Sequence, residues 1–203
     1  MSRLTRSESQ ARTRELLMAT ARELFLRDGY QPTSVAKVAD EAGFSTGAVY
    51  SNFNGKTGLA LAVLDRIHAE ELARINQIFA TDESIGGKLT AFEQWANAAL
   101  DSGWPRLELE FALEARQEIT LVEALADRER GAVDALAGAL RQHLDPLGLT
   151  GLVNVKALAG TVLSLCIGVA IQHIVDPKVT ASGPIDLLRG ALAALAPVRE
   201  PRS

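Results

Sequence analysis

The residues best suited to chemistry lie between Thr33 and Lys56, in TSVAKVADEAGFSTGAVYSNFNGK. Apart from Asp40 and Glu41 they are hydroxyls, amides, a phenol and amines, with no nucleophile beside its base. Such groups donate hydrogen bonds, and gathered in one short stretch they suit a phosphate-bearing partner. Ser45 caps a short helix expected over Thr46 to Phe53. Val49 and Phe53 fall one turn apart and turn inward, which leaves Thr46, Gly47, Ala48, Tyr50 and Asn52 for the outer face. A helix this short is not stable alone, so neighbours must hold it out to something. A helix-turn-helix holds such an element to the major groove of DNA.

The elements that position it flank it. Val35, Val38, Ala39 and Ala42 recur at helical spacing and make one apolar face. Thr33 or Ser34 can cap that helix, and Gly43 sits where it must stop and turn. Phe44 can pack into the turn. Upstream, a helix from about Ser9 to Arg27 or Asp28 carries Leu17, Ala21, Leu24 and Phe25, with residues 1–9 expected to fray. Gly29 ends it, and Pro32 disfavours helix at Gln31. Downstream, Asn54-Gly55 is a turn signal, and Lys56 and Thr57 open a long helix reaching Phe79 or Ala80. Leu59, Val63, Ile67, Leu72, Ile75 and Phe79 give it a continuous face expected to be buried.

The 203 residues are 47% hydrophobic but only 5% aromatic, with abundant alanine and leucine, which favours an all-helical chain with a sizeable core. A net charge of −4 argues against a generic polyanion binder. The charge is uneven, however: residues 1–56 carry eight Lys/Arg against six Asp/Glu, so the N-terminal part is positive. Arg3, Arg6, Arg12 and Arg14 can form a basic arm. Cys166 is the one cysteine, which excludes an internal disulfide, and its apolar surroundings predict a buried thiol. The polar N-terminus has no leader-like apolar region. Together these predict a cytoplasmic location and no membrane span.

The rest of the chain reads as further helices. One begins at Ser84 and runs through Leu89, Phe92, Trp95 and Ala99 to Leu100. After a break, Pro105 suits the first turn of the next, which carries Leu107, Phe111, Leu113 and Ala115 with a rim of Glu108, Glu110, Glu114 and Glu118. Another spans about Leu121 to Leu144. Leu152 to Val175 is apolar nearly all round, with Gly160, Ser164 and Gly168 as a stripe of small residues. Asn154, Lys156, Gln172 and His173 bracket an apolar run shorter than the ~20 residues of a span. Pro184 begins a last helix with Ile185, Leu188, Leu192 and Leu195 on one face. These two helices, about 152–175 and 184–196, are the expected homodimer interface.

Other chemistries find little support. Gly86-Gly87-Lys88 lacks the phosphate-loop spacing. His68, His143 and His173 are too scattered for metal ligation. Glu108, Glu110 and Glu114 lack the Glu-x-x-His partners of a di-iron bundle. No enzyme, metal or cofactor is expected.

Several pieces at fixed spacing then fall together: Ala21 to Phe25 with Gly29 and Tyr30, Thr33-Ser34, Val38-Ala39, Ala42-Gly43-Phe44-Ser45, and Gly47, Tyr50, Phe53, Lys56 and Leu59. In this the chain resembles the TetR family of transcriptional regulators. It departs at Phe44, where valine is usual, and at Gly58, where a larger residue is common; neither is expected to harm the fold. The resemblance implies an all-α protein with an N-terminal three-helix DNA-binding domain, residues 1–55, and a C-terminal helical bundle for ligand and dimerisation, residues 56–203. It implies a homodimer on a double-stranded operator, most often a repressor released by a small molecule. An activator, or a regulator answering to a protein partner, is the alternative.

Residue roles follow from the chemistry. Thr33 and Ser34 can reach phosphate from a helix N-terminus, as can Ser45 and Thr46. Gly47 and Ala48 permit close approach, and the Ala48 methyl can meet a thymine methyl. Tyr50, Asn52 and Lys56 are placed for phosphate, and Lys37 is a further candidate. For the effector, Phe79, Phe92, Trp95, Trp104, Phe111 and Cys166 are candidate lining residues, and the scarcity of charge on apolar faces predicts a hydrophobic or amphipathic ligand.

Overall fold

The computed structural model describes residues 5–195 apart from 117, 146, 147 and 149. The side chains of Thr120, His143 and 191–195 also lie outside the description, as do Arg3 and the faces expected at Leu192 and Leu195. Among the described residues the chain is all helical: α1 (Arg6–Asp28), α2 (Val35–Glu41), α3 (Thr46–Phe53), α4 (Lys56–Ala80), α5 (Ile85–Asp101), α6 (Trp104–Ala115), α7 (Ile119–Leu144), α8 (Val155–Val175) and α9 (Ser182–Leu195).

Helix ends follow local chemistry. α1 starts earlier than expected because Thr5 and Glu8 form a reciprocal capping box: the Thr5 hydroxyl accepts from the Glu8 amide, and the Glu8 carboxylate accepts from the Thr5 amide at 2.7 Å. Its other end stops at Gly29, whose φ of 96° few other residues tolerate. The Asn154 side chain caps α8 by accepting from the Ala157 amide at 3.0 Å.

Two compact units emerge, and they cut across the helix order. The first takes residues 1–73 and 102–125, and the second 74–101 and 126–203. This division does not coincide with a boundary at residues 55 and 56, because much of α4 and all of α6 pack with the N-terminal helices. The first unit's core joins Leu17, Leu24 and Phe25 of α1, Val38 of α2, Val49 and Phe53 of α3, Leu59 and Ile67 of α4, and Leu107 and Phe111 of α6. Tyr30 lies between Phe25 and Phe111, with ring centroids 5.7 and 5.4 Å away. The expected buried face of α4 is shorter than the periodicity suggests, since Leu72 is exposed, as is Leu113 on α6.

In the second unit, Leu89 of α5 packs with Ala181 and Ile185 at α9, while Ala137 of α7 packs with Val155 and Ala159 of α8. Arg189 of α9 pairs with Glu93 of α5 at 2.8 Å. α8 corrects two expectations. Its 21 residues reach a mean hydropathy of 1.9 over their most apolar window, so by length and composition alone it is long enough to cross a bilayer. Its apolar residues are also largely uncovered in the single chain: Leu165, Cys166, Ile167, Ile171 and Val175 are exposed, so the Cys166 thiol is not a core thiol.

Candidate nucleic-acid interface

The Ser34 Oγ caps α2 by accepting from the Lys37 amide at 3.1 Å. Its neighbour Thr33 does something else. It is 0% exposed, and its hydroxyl donates to the Gly29 carbonyl at 2.8 Å. The expectation that Thr33 reaches phosphate is therefore corrected: the hydroxyl is consumed in tying the loop after α1 to the start of α2.

At the other end of α2, the Phe44 amide donates to Ala39 at 2.8 Å and the Gly43 amide to Asp40 at 3.0 Å. Gly43 holds a φ of 76°, the left-handed value the reversal needs. Ser45 then caps α3 by accepting from the Ala48 amide at 3.3 Å. With Val49 and Phe53 locked into the core, α3 turns out Thr46, Gly47, Tyr50 and Ser51. Tyr50 is 60% exposed, a large aromatic held in solvent on a helix anchored by its opposite face. Ala48 is half-buried. Asn52 is turned back, with its amide donating to the Ala48 carbonyl at 2.8 Å. Ser51 was absent from the sequence-based set; its place on the outer face follows from the positions of Val49 and Phe53.

Both lysines have partners. Lys37 Nζ lies 2.8 Å from Asp28 Oδ2, and hydrogen bonds from Arg27 and Lys37 hold the Asp28 carboxyl far below the usual carboxylate range. Lys56 Nζ donates to the Gln31 carbonyl at 3.2 Å and sits 4.1 Å above the Tyr30 ring. Burial pushes the Lys56 amine down, against the pull of Glu114 and Glu110. Each ammonium keeps donors to spare, since a lysine carries three.

Residues outside the helix-turn-helix fix its frame. Arg106, Glu110 and Glu114 recur every fourth position along α6. Arg106 donates to the Leu26 carbonyl at 2.8 Å, satisfying the open end of α1. Glu110 Oε2 accepts from the Tyr30 amide at 2.6 Å, and Glu114 accepts from the Gln31 side-chain amide at 2.5 Å. A Cβ at Gly29 would come within 2.9 Å of Glu110, so glycine serves contact as well as conformation there. These acids read in the sequence as a rim on α6. The spacing was visible, but the partners they meet eighty residues upstream were not.

The six candidate effector residues separate. Phe111 is packed into the first unit's core against Tyr30, which corrects its assignment to a ligand wall. Trp104 is in the same unit, edge-on to His68 at 5.7 Å. Phe79, Phe92 and Trp95 form a half-buried aromatic run in the second unit, with successive centroids 5.8 and 5.2 Å apart.

A capped helix-turn-helix with its second helix held outward on a helical body defines a DNA-binding protein. Residues 17–63 match the bacterial regulatory proteins, tetR family. Over 154 residues the chain is 31% identical to the HTH-type transcriptional regulator TtgR of Pseudomonas putida, covering 70% of this chain and 72% of TtgR. It shares its fold with a TetR-family transcriptional regulator of Pectobacterium atrosepticum, at a TM-score of 0.65 and 25% identity over 98% of this chain and 100% of that one. It shares it also with SmeT in complex with triclosan, at 0.62 and 22% over 95% and 99%. The chain belongs to the TetR family of transcriptional regulators.

Gly58 departs from the common pattern for a reason the sequence did not reveal. A Cβ there would lie 1.8 Å from the Phe53 carbonyl oxygen, so the first turn of α4 presses on the last turn of α3. Gly47 is the opposite case, with its nearest contact 3.6 Å away. Gly58→Ala is expected to cost about 2 kcal/mol of unfolding free energy through that overlap. Gly47→Ala should gain up to about 1 kcal/mol from helix propensity. Chemical denaturation of the two variants reads the difference, and equal values would contradict the packing described for Gly58.

Proposed function

We propose that this regulator is a repressor that binds a double-stranded operator as a homodimer and is released by a small hydrophobic ligand. The observation that carries the DNA half is the outward face of α3, where Tyr50 stands in solvent on a helix capped at its start by Ser45. Residues 1–55 read DNA in this account, and residues 56–203 hold ligand and partner. Ser34, Ser45, Thr46 and Tyr50 donate to phosphate or base edges, with Gly47 and Ala48 against the groove floor. Lys37, Asn52 and Lys56 contribute through what their internal bonds leave free. With small side chains at Gly47 and Ala48, much of the affinity is expected from phosphates, and so to fall steeply with salt.

The exposed apolar residues of α8 and α9, among them Ile171, Leu187 and Leu188, supply a self-complementary face for a two-fold dimer. Gly160 and Gly168 have open space where a Cβ would stand, which leaves room for a close-packed partner helix. The half-buried run of Phe79, Phe92 and Trp95 is the proposed hydrophobic ligand wall. SmeT, of the same fold, has been solved with triclosan. Release is linkage: a ligand favouring a dimer whose two α3 helices miss the half-site spacing lowers operator affinity. The protein acts in the cytoplasm in this reading.

Selection from a random duplex library, followed by titration across salt, tests the DNA half. A selected operator with a steep salt slope is expected, and Tyr50→Phe should weaken it about tenfold with melting unchanged, the worth of one charged hydrogen bond. Equal binding by Tyr50→Phe and the parent protein would remove Tyr50 from the interface. Sedimentation is expected to give twice the chain mass, with Ile171→Glu shifting it to the monomer. A parent protein that sediments as a monomer at micromolar concentration would contradict the dimer.

A further inference from the structure

A group of polar side chains lies beside the C-terminal end of α3. Ser7, Gln10, Ala11 and Arg14 share one face of α1, at helical spacing, and face Ser51 and Asn52 at the end of α3. Between them is an open cleft of about 280 Å³. Among the described residues its lining holds one cation and no carboxylate. The nearby acids are engaged elsewhere: Glu8 on Thr5, and Glu15 on Arg66 at 2.6 Å. Arg14 is held in place, since its guanidinium donates to the Asn52 carbonyl and lies 4.2 Å over the Phe53 ring. A guanidinium has five N–H donors in a fixed fork, so this leaves several for a guest. Ser7 and Gln10 add neutral donors, while the Ser51 hydroxyl donates to the Ala48 carbonyl at 3.1 Å.

We propose that this cleft seats a backbone phosphate of the DNA that α3 reads, gripped by Arg14 with Ser7 and Gln10. The geometry favours duplex phosphate. Eight residues of α3 make a helix of roughly 12 Å, and the major groove is about 12 Å wide. The recognition helix of a helix-turn-helix lies in that groove with its N-terminal residues on base edges, so the other end of α3, where the cleft lies, is left toward the bordering strand. The phosphate here takes its place in the frame that Phe53 and Arg14 share, so the contact sets the register of α3 in the groove without reading a base.

The proposal rests on the operator-binding reading, and the test separates the two. Among the described residues Gln10 makes no bond that holds the fold, so Gln10→Glu and Gln10→Lys change the cleft's charge alone. Gln94→Glu, at an exposed position on α5, controls for net charge. Binding to the selected operator and to a scrambled duplex is titrated across salt. Gln10→Glu should weaken both at least tenfold with an unchanged melting temperature. Gln10→Lys should steepen the slope of log K against log salt by about 0.9, the release of one counterion. Gln94→Glu should leave both unchanged. Inorganic phosphate at millimolar concentration should not stabilise the parent protein against heat. If Gln10→Glu binds like the parent, or like Gln94→Glu, the cleft is not a DNA contact. Phosphate stabilisation that Gln10→Glu abolishes, with DNA binding intact, would make it a free-anion site and overturn the proposal. A parent protein that selects no duplex at all overturns the operator reading as well.

Discussion

The open carbonyl end of α1 and the loop that follows it are the constraint on which the helix-turn-helix depends. A helix end leaves backbone groups without partners, and a loop that then enters another helix leaves more. Here α6 supplies the missing partners. Arg106 takes the Leu26 carbonyl, Glu110 takes the Tyr30 amide, and Glu114 takes the Gln31 side chain. Thr33 closes the loop from inside by donating to Gly29, and Lys56 closes it from outside by donating to Gln31. Loop and α2 thus start from a fixed point. α3, too short to hold itself, inherits its aim from that point through the turn at Gly43.

Polar and apolar contacts act together there. Tyr30 places its ring between Phe25 and Phe111 while its amide meets Glu110. One residue therefore docks the loop onto α6 by both backbone and side chain. The same economy holds at the end of α3, where Gly58 lets α4 touch the Phe53 carbonyl and Arg14 covers the Phe53 ring. Apart from Tyr50, the exposed face of α3 is small and polar, since Val49 and Phe53 on the opposite face anchor the helix.

Much of this was legible in the sequence. Capping serines, the Gly43 turn, the inward Val49–Phe53 pair and the long helix from Lys56 follow from local chemistry, which depends on residues a few positions apart. What was not legible depends on distant partners. Thr33 reads as a surface hydroxyl until Gly29 is brought beneath it. Glu110 and Glu114 read only as a rim because their partners lie some eighty residues away. Phe111 reads as a ligand wall by its type, yet its ring is spent on Tyr30. Periodicity also overstated burial at Leu72 and Leu113, and expected a core thiol at Cys166, because it marks an apolar face without saying whether this chain or another covers it. Family membership came from spacing that local sequence does preserve, within residues 17–63.

The measurement closest to the central claim is amide hydrogen exchange in the parent protein and in Glu110→Ala. If Glu110 holds the loop, the Tyr30 amide is protected like a core amide in the parent, and Glu110→Ala speeds its exchange more than tenfold, with protection falling through α2 and α3 while α5 and α8 stay unchanged. Unaltered exchange at Tyr30 and across α2 and α3 in Glu110→Ala would contradict the claim that α6 fixes the helix-turn-helix.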